Sequence, residues 1–161
     1  MQRASTSLIV GGNGALGKAM VSSFRAGGWN TVSLDVVANQ EAQHNIIVNP
    51  NVSMKAQVGS LVSEVQRASV EYNAIICVAG GFGCSNIADN DIMEAYEEQD
   101  RINFQTALLA GHLAALHLGP RGLLMLTGAA AVFDGPVNFA YGYAMSKAAT
   151  HSLALHLAQP G

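Results

Sequence analysis

The stretch Val10-Gly11-Gly12-Asn13-Gly14-Ala15-Leu16-Gly17 lies between two segments of different character. A short apolar run precedes it, and apolar residues at helical spacing follow it. This context predicts a strand, a tight turn and a helix. The glycines at 12, 14 and 17 fit the pattern G-x-G-x-x-G, in which glycine allows a tight turn, close approach of a pyrophosphate and close packing of the helix. Free N–H groups at the start of that helix then favour phosphate binding.

An acidic residue follows at the spacing typical of dinucleotide sites. Asp35 lies 18 residues after Gly17 and near the end of a β-branched run that predicts the second strand. Its carboxylate can accept hydrogen bonds from both hydroxyls of an adenosine ribose and repels a 2′-phosphate. The pattern therefore favours NADH, with NADPH less favoured because of Asp35. The alternatives are a glycine turn that binds no nucleotide and a solvated aspartate at the end of a strand.

Composition limits the classes of function. The chain has 161 residues, enough for one domain spanning 1–161 with a proper core. Half of the residues are hydrophobic and only 12% are charged, against a usual value of about 25%. A surface so poor in charge suggests that a partner covers part of it. The net charge is −3 and there is no basic run, so we expect no nucleic-acid partner.

Cysteine and histidine spacings predict no metal. Cys77 and Cys84 do not share metal-like spacing with histidine, and the histidines of the two long predicted helices are five residues apart in each pair. No apolar run approaches the roughly 18 residues of a membrane span, so we expect no membrane association. The cysteine usage favours a reduced, cytoplasmic protein.

Strand and helix patterns alternate along the chain. Strands are predicted at about 7–10, 31–36, 46–48, 74–79 and 122–126, and helices at about 15–25, 53–69, 89–99, 102–118 and 141–158. The glycine–proline pair at 119–120 is expected to end the fourth helix. The alternation predicts an α/β fold with a Rossmann-like, doubly wound parallel sheet and right-handed crossovers.

A second motif lies near the start of the last predicted helix. Tyr143 and Lys147 form Y-x-x-x-K, and residues four apart share one face of a helix. A neighbouring ammonium favours proton loss from a phenol, so the two side chains together can transfer a proton. Lys147 can also hold the ribose of a nicotinamide cofactor. The alternative is a surface pair without a function.

Taken in order, these residues resemble the short-chain dehydrogenase/reductase family over nearly the whole chain. Besides the glycine loop, Asp35 and the Tyr143/Lys147 pair, Ala79-Gly80 and Asn103 match that family. The resemblance implies an NAD(P)H-dependent oxidoreductase with Tyr143 and Lys147 as catalytic residues. It implies that the cofactor is bound by Gly11, Gly12, Asn13, Gly14, Ala15, Leu16, Gly17, Asp35, Ala79, Gly80, Asn103 and Lys147.

One family feature is missing. Most members carry a catalytic serine about a dozen residues before the tyrosine, but Ala130 stands there, and the nearest hydroxyl, that of Thr127, is too early. Loss of one donor to a developing alkoxide costs on the order of 10²–10³ in rate. The chain is therefore either not an ordinary ketone or alcohol enzyme, or it is inactive.

The pattern without the serine is similar to family members that reduce dihydropterins. It implies NADH-dependent reduction of quinonoid dihydrobiopterin (a 6,7-dihydropteridine) to tetrahydrobiopterin, with Tyr143 and Lys147 assisting proton transfer. A conjugated, electron-poor ring develops no isolated alkoxide, which explains why the serine is dispensable. Phe82 is a candidate for lining the pterin pocket, and core packing is the alternative for that ring. Two other functions stay open: a short-chain reductase of another conjugated or imine-like substrate, and a catalytically silent, truncated module that binds NAD or dimerises.

The resemblance also implies more chain and a second copy. The family has at least one more parallel strand and a substrate-covering segment after the Tyr–Lys helix, so we expect the sequence to be a fragment that lacks the C-terminal strand or strands of the sheet. Family members dimerise through their two long helices. The resemblance thus implies a homodimer through helices 102–118 and 141–158.

Overall fold

A computed structural model describes residues 4–158 of the protein. Within this range five strands alternate with helices: β1 (Thr6–Val10), β2 (Asn30–Asp35), β3 (His44–Ile47), β4 (Tyr72–Cys77) and β5 (Leu118–Leu126). They form a five-stranded sheet in the order β3-β2-β1-β4-β5. The pairings of β1 with β2, β1 with β4 and β2 with β3 are parallel. The predicted α/β fold with a Rossmann-like parallel sheet is confirmed.

The core is centred on β1. All five residues of this strand are buried, the apolar run at 8–10 included, as expected of a strand in a parallel sheet that is covered on both faces. Leu8 lies opposite Val32 of β2 on one side and opposite Ile75 of β4 on the other, and none of the three is accessible to solvent. The loop that follows β1 therefore starts from the most buried part of the sheet.

In the described part of the chain, five α-helices accompany the sheet: α1 (Ala15–Ala26), α2 (Met54–Ala68), α3 (Ile92–Gln99), α4 (Gln105–His117) and α5 (Tyr141–Leu157). Helix α1 packs Val21, Met20 and Phe24 against Ile9 and its neighbours in the sheet. None of the helices within residues 4–158 is long and apolar enough to cross a membrane.

The chain divides into two compact units. The first consists of the chain up to Ala79 together with Leu109–Met125, and it contains the sheet. The second consists of Gly80–Leu108 together with the chain from Leu126 onwards, and it contains α3 and α5. The interpretation of 1–161 as a single domain stays a prediction.

Two predicted boundaries were wrong. The first residues of the helix predicted at 102–118 belong to a π-helical segment, Asp100–Phe104, so the α-helix begins at Gln105 and ends at His117. Strand β5 begins at Leu118 and not near 122, so it includes Pro120 and Arg121, whose φ is +62°. Since β5 lies at an end of the described sheet, a proline that lacks an N–H is tolerated there, and the pair at 119–120, expected to end the fourth helix, follows α4 directly and belongs to the strand.

Candidate cofactor and catalytic site

The glycine loop after β1 is shaped by close backbone contacts. Gly11 has a φ of +85°, and a Cβ there would overlap the backbone of Ala79. A Cβ at Gly17, in the first turn of α1, would overlap the carbonyl oxygen of Gly11. The start of α1 thus packs directly on the loop, as the motif requires. These contacts explain why glycine is needed at both positions, and the loop leads into the start of α1, whose free N–H groups favour a pyrophosphate.

Two side chains from the β2 end hold this loop. The Asp35 Oδ2 atom accepts a hydrogen bond from the Asn13 N–H at 2.8 Å. The Asn39 Nδ2 atom donates to the Gly12 carbonyl oxygen at 2.6 Å, and Asn39 is buried. Asp35 was predicted from its spacing. Asn39 was not, because it lies 27 residues from Gly12 and belongs to no local pattern.

In the second unit, the segment after β4 is fixed by Asn103. This residue belongs to the π-helical segment and is 1% exposed. Its Oδ1 accepts from the Gly81 N–H and its Nδ2 donates to the Gly81 carbonyl oxygen, both at 3.1 Å, while Gln99 Oε1 also accepts from Nδ2. A Cβ at Gly80 would lie 2.5 Å from Asn103 Oδ1 and 3.3 Å from the Lys147 Nζ. Only glycine fits between these two side chains.

The start of α5 is fixed by Ser85. Its N–H donates to the Phe139 carbonyl oxygen at 2.9 Å, and its own carbonyl oxygen accepts from the Tyr141 N–H at 3.2 Å. The Ser85 Oγ atom accepts from the Gly142 N–H at 3.3 Å. These three bonds hold the helical turn that presents Tyr143. No local pattern predicts Ser85, since it lies 57 residues from Gly142.

Tyr143 and Lys147 share one face of α5. The Lys147 Nζ lies 6.0 Å from the centre of the Tyr143 ring and donates to the Thr127 carbonyl oxygen at 2.9 Å. Lys147 is only 5% exposed. A buried ammonium with a fixed acceptor has a defined position, so it can act on the adjacent phenol and on a bound hydroxyl.

Exposed aromatic rings border Tyr143. The Phe82 ring meets the Tyr143 ring edge to face, with centres 5.0 Å apart, and lies 6.4 Å from the Phe139 ring. Both phenylalanines are more than half exposed. The interpretation of Phe82 as a core residue is therefore wrong, and Phe139, which sequence reasoning missed, joins the same surface. A surface of this kind can contact a flat ring next to a phenolic proton donor.

The predicted residues fall into two groups, one in each unit. In the first unit, Asp35 and Ala79 contact the glycine loop, and Ala79 N–H donates to the Val10 carbonyl oxygen. The second unit contains Gly80, Phe82, Asn103, Tyr143 and Lys147. Across residues 4–158, no group of three or more His, Cys, Asp or Glu side chains could hold a metal ion.

The sequence of this chain is similar to that of a curated protein over most of its length. The chain is 30% identical over 151 residues to a protein named dihydropteridine reductase from Dictyostelium discoideum, and the match covers 94% of this chain. The chain spans 64% of that relative's length. No model of a known protein family matches the chain.

Solved structures show the same fold at low sequence identity. A short-chain dehydrogenase family protein from Francisella tularensis superposes with a TM-score of 0.79 at 20% identity, covering 97% of this chain and 65% of its own. A protein named BdcA, solved in complex with NADPH, superposes with a TM-score of 0.76 at 22% identity, covering 96% of this chain and 64% of its own. The chain has the fold of these proteins, and the resemblance inferred from its motifs is confirmed.

Proposed function

We propose, from the short-chain dehydrogenase/reductase fold and the similarity to a dihydropteridine reductase, that this chain is the core of an NAD(P)H-dependent reductase. The observation that supports this most directly is the Tyr143–Lys147 pair on α5. Lys147 is buried, bound to the Thr127 carbonyl oxygen and close to the Tyr143 ring. A surface pair without a function would not require a buried, oriented ammonium.

The first unit fits the adenosine and pyrophosphate parts of a dinucleotide. The glycine loop and the free N–H groups at the start of α1 suit the pyrophosphate. Asp35 keeps acceptor capacity for a ribose after its bonds to Asn13 and Val37. Its charge disfavours a 2′-phosphate, so we propose NADH as the preferred cofactor. When bound, the nicotinamide supplies the hydride.

The second unit fits the proton-transfer part of the reaction. Reduction of a conjugated C=N bond adds one hydride and one proton, and Tyr143 is placed to give that proton. The Lys147 ammonium stabilises the phenolate that Tyr143 becomes, and it can hold the nicotinamide ribose. Asn103, held by Gly81 and Gln99, keeps the segment after β4 in position and belongs to the same cofactor-binding set.

We propose a quinonoid dihydropterin as the substrate, reduced to the tetrahydropterin. Ala130 supplies no hydroxyl to stabilise an alkoxide, and a conjugated ring does not need one. The exposed Phe82 and Phe139 rings beside Tyr143 suit a flat heteroaromatic ring. Another conjugated or imine-like substrate would use the same features, so substrates must be compared directly.

We also propose a homodimer through α4 and α5. These helices expose large apolar side chains, which water disfavours. The exposed leucines on the two helices are Leu108, Leu116, Leu155 and Leu157.

Turnover tests the proposal. NADH oxidation by the chain should be fast with quinonoid dihydrobiopterin and slow with a simple ketone at the same concentration. NADH fluorescence in the same sample measures binding. NADH binding without turnover of pterin or imine substrates would favour the catalytically silent module. Equal rates with the pterin and the ketone would contradict the proposal that a dihydropterin is the substrate.

A further inference from the structure

The loop after β5 is held by two side chains that lie one turn apart on α5. Lys147 donates to the Thr127 carbonyl oxygen, and His151, four residues later, contacts Ala129. Residues four apart lie on the same face of a helix. Both contacts go to backbone atoms, so the position of this loop and the position of the Lys147 ammonium are coupled through α5.

The contact of His151 is specific in its geometry. Its Nε2 atom lies 3.1 Å from the Ala129 N and 3.2 Å from the Ala129 carbonyl oxygen. The ring also meets the Phe133 ring edge to face, with centres 4.4 Å apart. A Cβ at Gly128 would overlap the imidazole. The loop therefore lies directly on the His151 ring, and one nitrogen of the ring faces its backbone.

The chemistry of the imidazole defines the contact. A neutral ring with its proton on Nδ1 accepts from the Ala129 N–H through Nε2. A proton on Nε2 would instead be given to the Ala129 carbonyl oxygen and would leave the Ala129 N–H without this acceptor. The 3.1 Å contact with the Ala129 N–H fits the Nδ1–H form, and the 3.2 Å contact with the Ala129 carbonyl oxygen fits the Nε2–H form; the proposal below takes the first.

We propose that His151 is a positioning residue for proton transfer. By accepting from the Ala129 N–H, it fixes the loop so that the Thr127 carbonyl oxygen holds the Lys147 ammonium near the Tyr143 ring. The inference rests on the proposed function for its catalytic part.

Two substitutions separate hydrogen bonding from packing. In His151→Gln the amide oxygen reaches about as far as Nε2 and can accept from the Ala129 N–H. In His151→Asn the amide ends near the position of Nδ1 and falls short. Glutamine is close to histidine in volume and asparagine is smaller, so a third variant, His151→Leu, controls for packing. Leucine is similar in volume to glutamine but has no acceptor, so a role in packing alone predicts that it behaves like His151→Gln, whereas the proposal predicts that it behaves like His151→Asn.

The first readout needs no turnover. Acetic anhydride labels exposed amines, and mass spectrometry compares Lys147 with the exposed Lys18 and Lys55 in the same sample. Because one net hydrogen bond contributes about 0.5–1.5 kcal/mol, we expect Lys147 to label about three- to tenfold faster in His151→Asn and at the wild-type rate in His151→Gln. Equal labelling of Lys147 in all three proteins would overturn the proposal.

Two further readouts are the rate of pterin reduction in the variants and the NMR spectrum of His151 in the wild type. In His151→Asn, kcat for pterin reduction should fall about three- to tenfold, and His151→Gln should restore most of kcat. In the wild type, nitrogen NMR should find the His151 proton on Nδ1, and the Ala129 amide should be protected from hydrogen exchange. A proton on Nε2 or an unprotected Ala129 amide would overturn the proposal even if His151→Asn fails to fold. If the wild type shows no turnover, the proposed function fails, whereas labelling and NMR still test the role of His151.

Discussion

The Lys147 ammonium donates a hydrogen bond to the Thr127 carbonyl oxygen across 2.9 Å, and it does so from a buried position. A buried ammonium is costly unless it is paired or hydrogen-bonded. The bond links α5 to the loop after β5 and keeps the charge 6.0 Å from the centre of the Tyr143 ring. The position of the Lys147 ammonium beside Tyr143 is therefore set by the backbone of one loop as much as by the Y-x-x-x-K spacing.

Removal of the Asp35 charge should change the cofactor preference. Asp35→Asn keeps an oxygen for the Asn13 N–H but removes the repulsion of a 2′-phosphate and weakens the bonds to the ribose. Since hydrogen bonds to charged groups contribute about 1.5–3 kcal/mol, we expect NADH to bind roughly tenfold more weakly and NADPH to bind more tightly. Fluorescence titration measures both dissociation constants. Asp91→Asn, an exposed position before α3, is the control, and an unchanged NADH-to-NADPH ratio in Asp35→Asn would refute the role of this charge.

An alanine at Gly128 should destabilise the second unit. Its Cβ would overlap the His151 ring, and overpacking of this kind costs about 1–3 kcal/mol. Gly59→Ala is the matched control, because nothing lies within 4 Å of a Cβ there and the position is inside α2, where alanine is favoured by about 0.5–1 kcal/mol. Urea unfolding gives both free energies. A Gly128→Ala protein as stable as the wild type would show that the loop does not rest on the imidazole.

Stability should fall on mild acidification because of His117. This residue is buried, its Nε2 has no hydrogen-bond partner within residues 4–158, and burial together with the nearby His112 lowers its pKa. The unfolded chain then binds a proton more readily than the folded chain. The free energy of unfolding should therefore decrease as the pH falls below the ordinary histidine pKa of about 6.5 and towards the lowered one.

Urea unfolding at several pH values tests this for His117. His117→Phe should flatten the dependence between pH 7.5 and 5.5, whereas His44→Gln, at an exposed position of β3, should leave it unchanged. The same slope in the wild type and in His117→Phe would assign the acid sensitivity to other groups.

A charge on the exposed face of α5 should dissociate the proposed dimer. Leu155 is 68% exposed, and Leu155→Glu would place a carboxylate in an apolar interface, which is strongly unfavourable. Sedimentation at micromolar concentration should show a dimer for the wild type and a monomer for Leu155→Glu. Val70→Glu, at a position of similar exposure (66%) between α2 and β4, should stay dimeric. A wild-type protein that sediments as a monomer would contradict the proposed homodimer.

Local patterns were sufficient to predict the sheet and the motif residues. β1 and β4 each contain an apolar run, at 8–10 and at 74–77, and the spacing from Gly17 to Asp35 follows from the length of one βαβ step. The Tyr143–Lys147 pair needs only the helical repeat. Each of these signals lies within about 20 residues of chain.

The residues that fix the site from a distance could not be predicted. Asn39 contacts Gly12, Ser85 contacts Gly142, and His151 contacts Ala129, each through one side chain and a backbone atom more than 20 residues away. Such contacts depend on tertiary structure, and no periodic pattern in the sequence indicates them. The start of β5 was predicted too late because a proline is usually excluded from strands. An edge strand tolerates Pro120, since the missing N–H needs no partner there.

The most direct test of the central claim compares two tyrosines of the same helix. Tyr143→Phe keeps the ring that meets Phe82 and removes only the hydroxyl, whereas Tyr141→Phe removes a hydroxyl two residues earlier, where no lysine follows at four residues. Steady-state NADH oxidation with quinonoid dihydrobiopterin should fall by about 10²–10⁴ in kcat for Tyr143→Phe, with NADH binding unchanged, and should stay near the wild-type rate for Tyr141→Phe. Equal rates for Tyr143→Phe and the wild type would contradict the assignment of Tyr143 as the proton donor of a reductase.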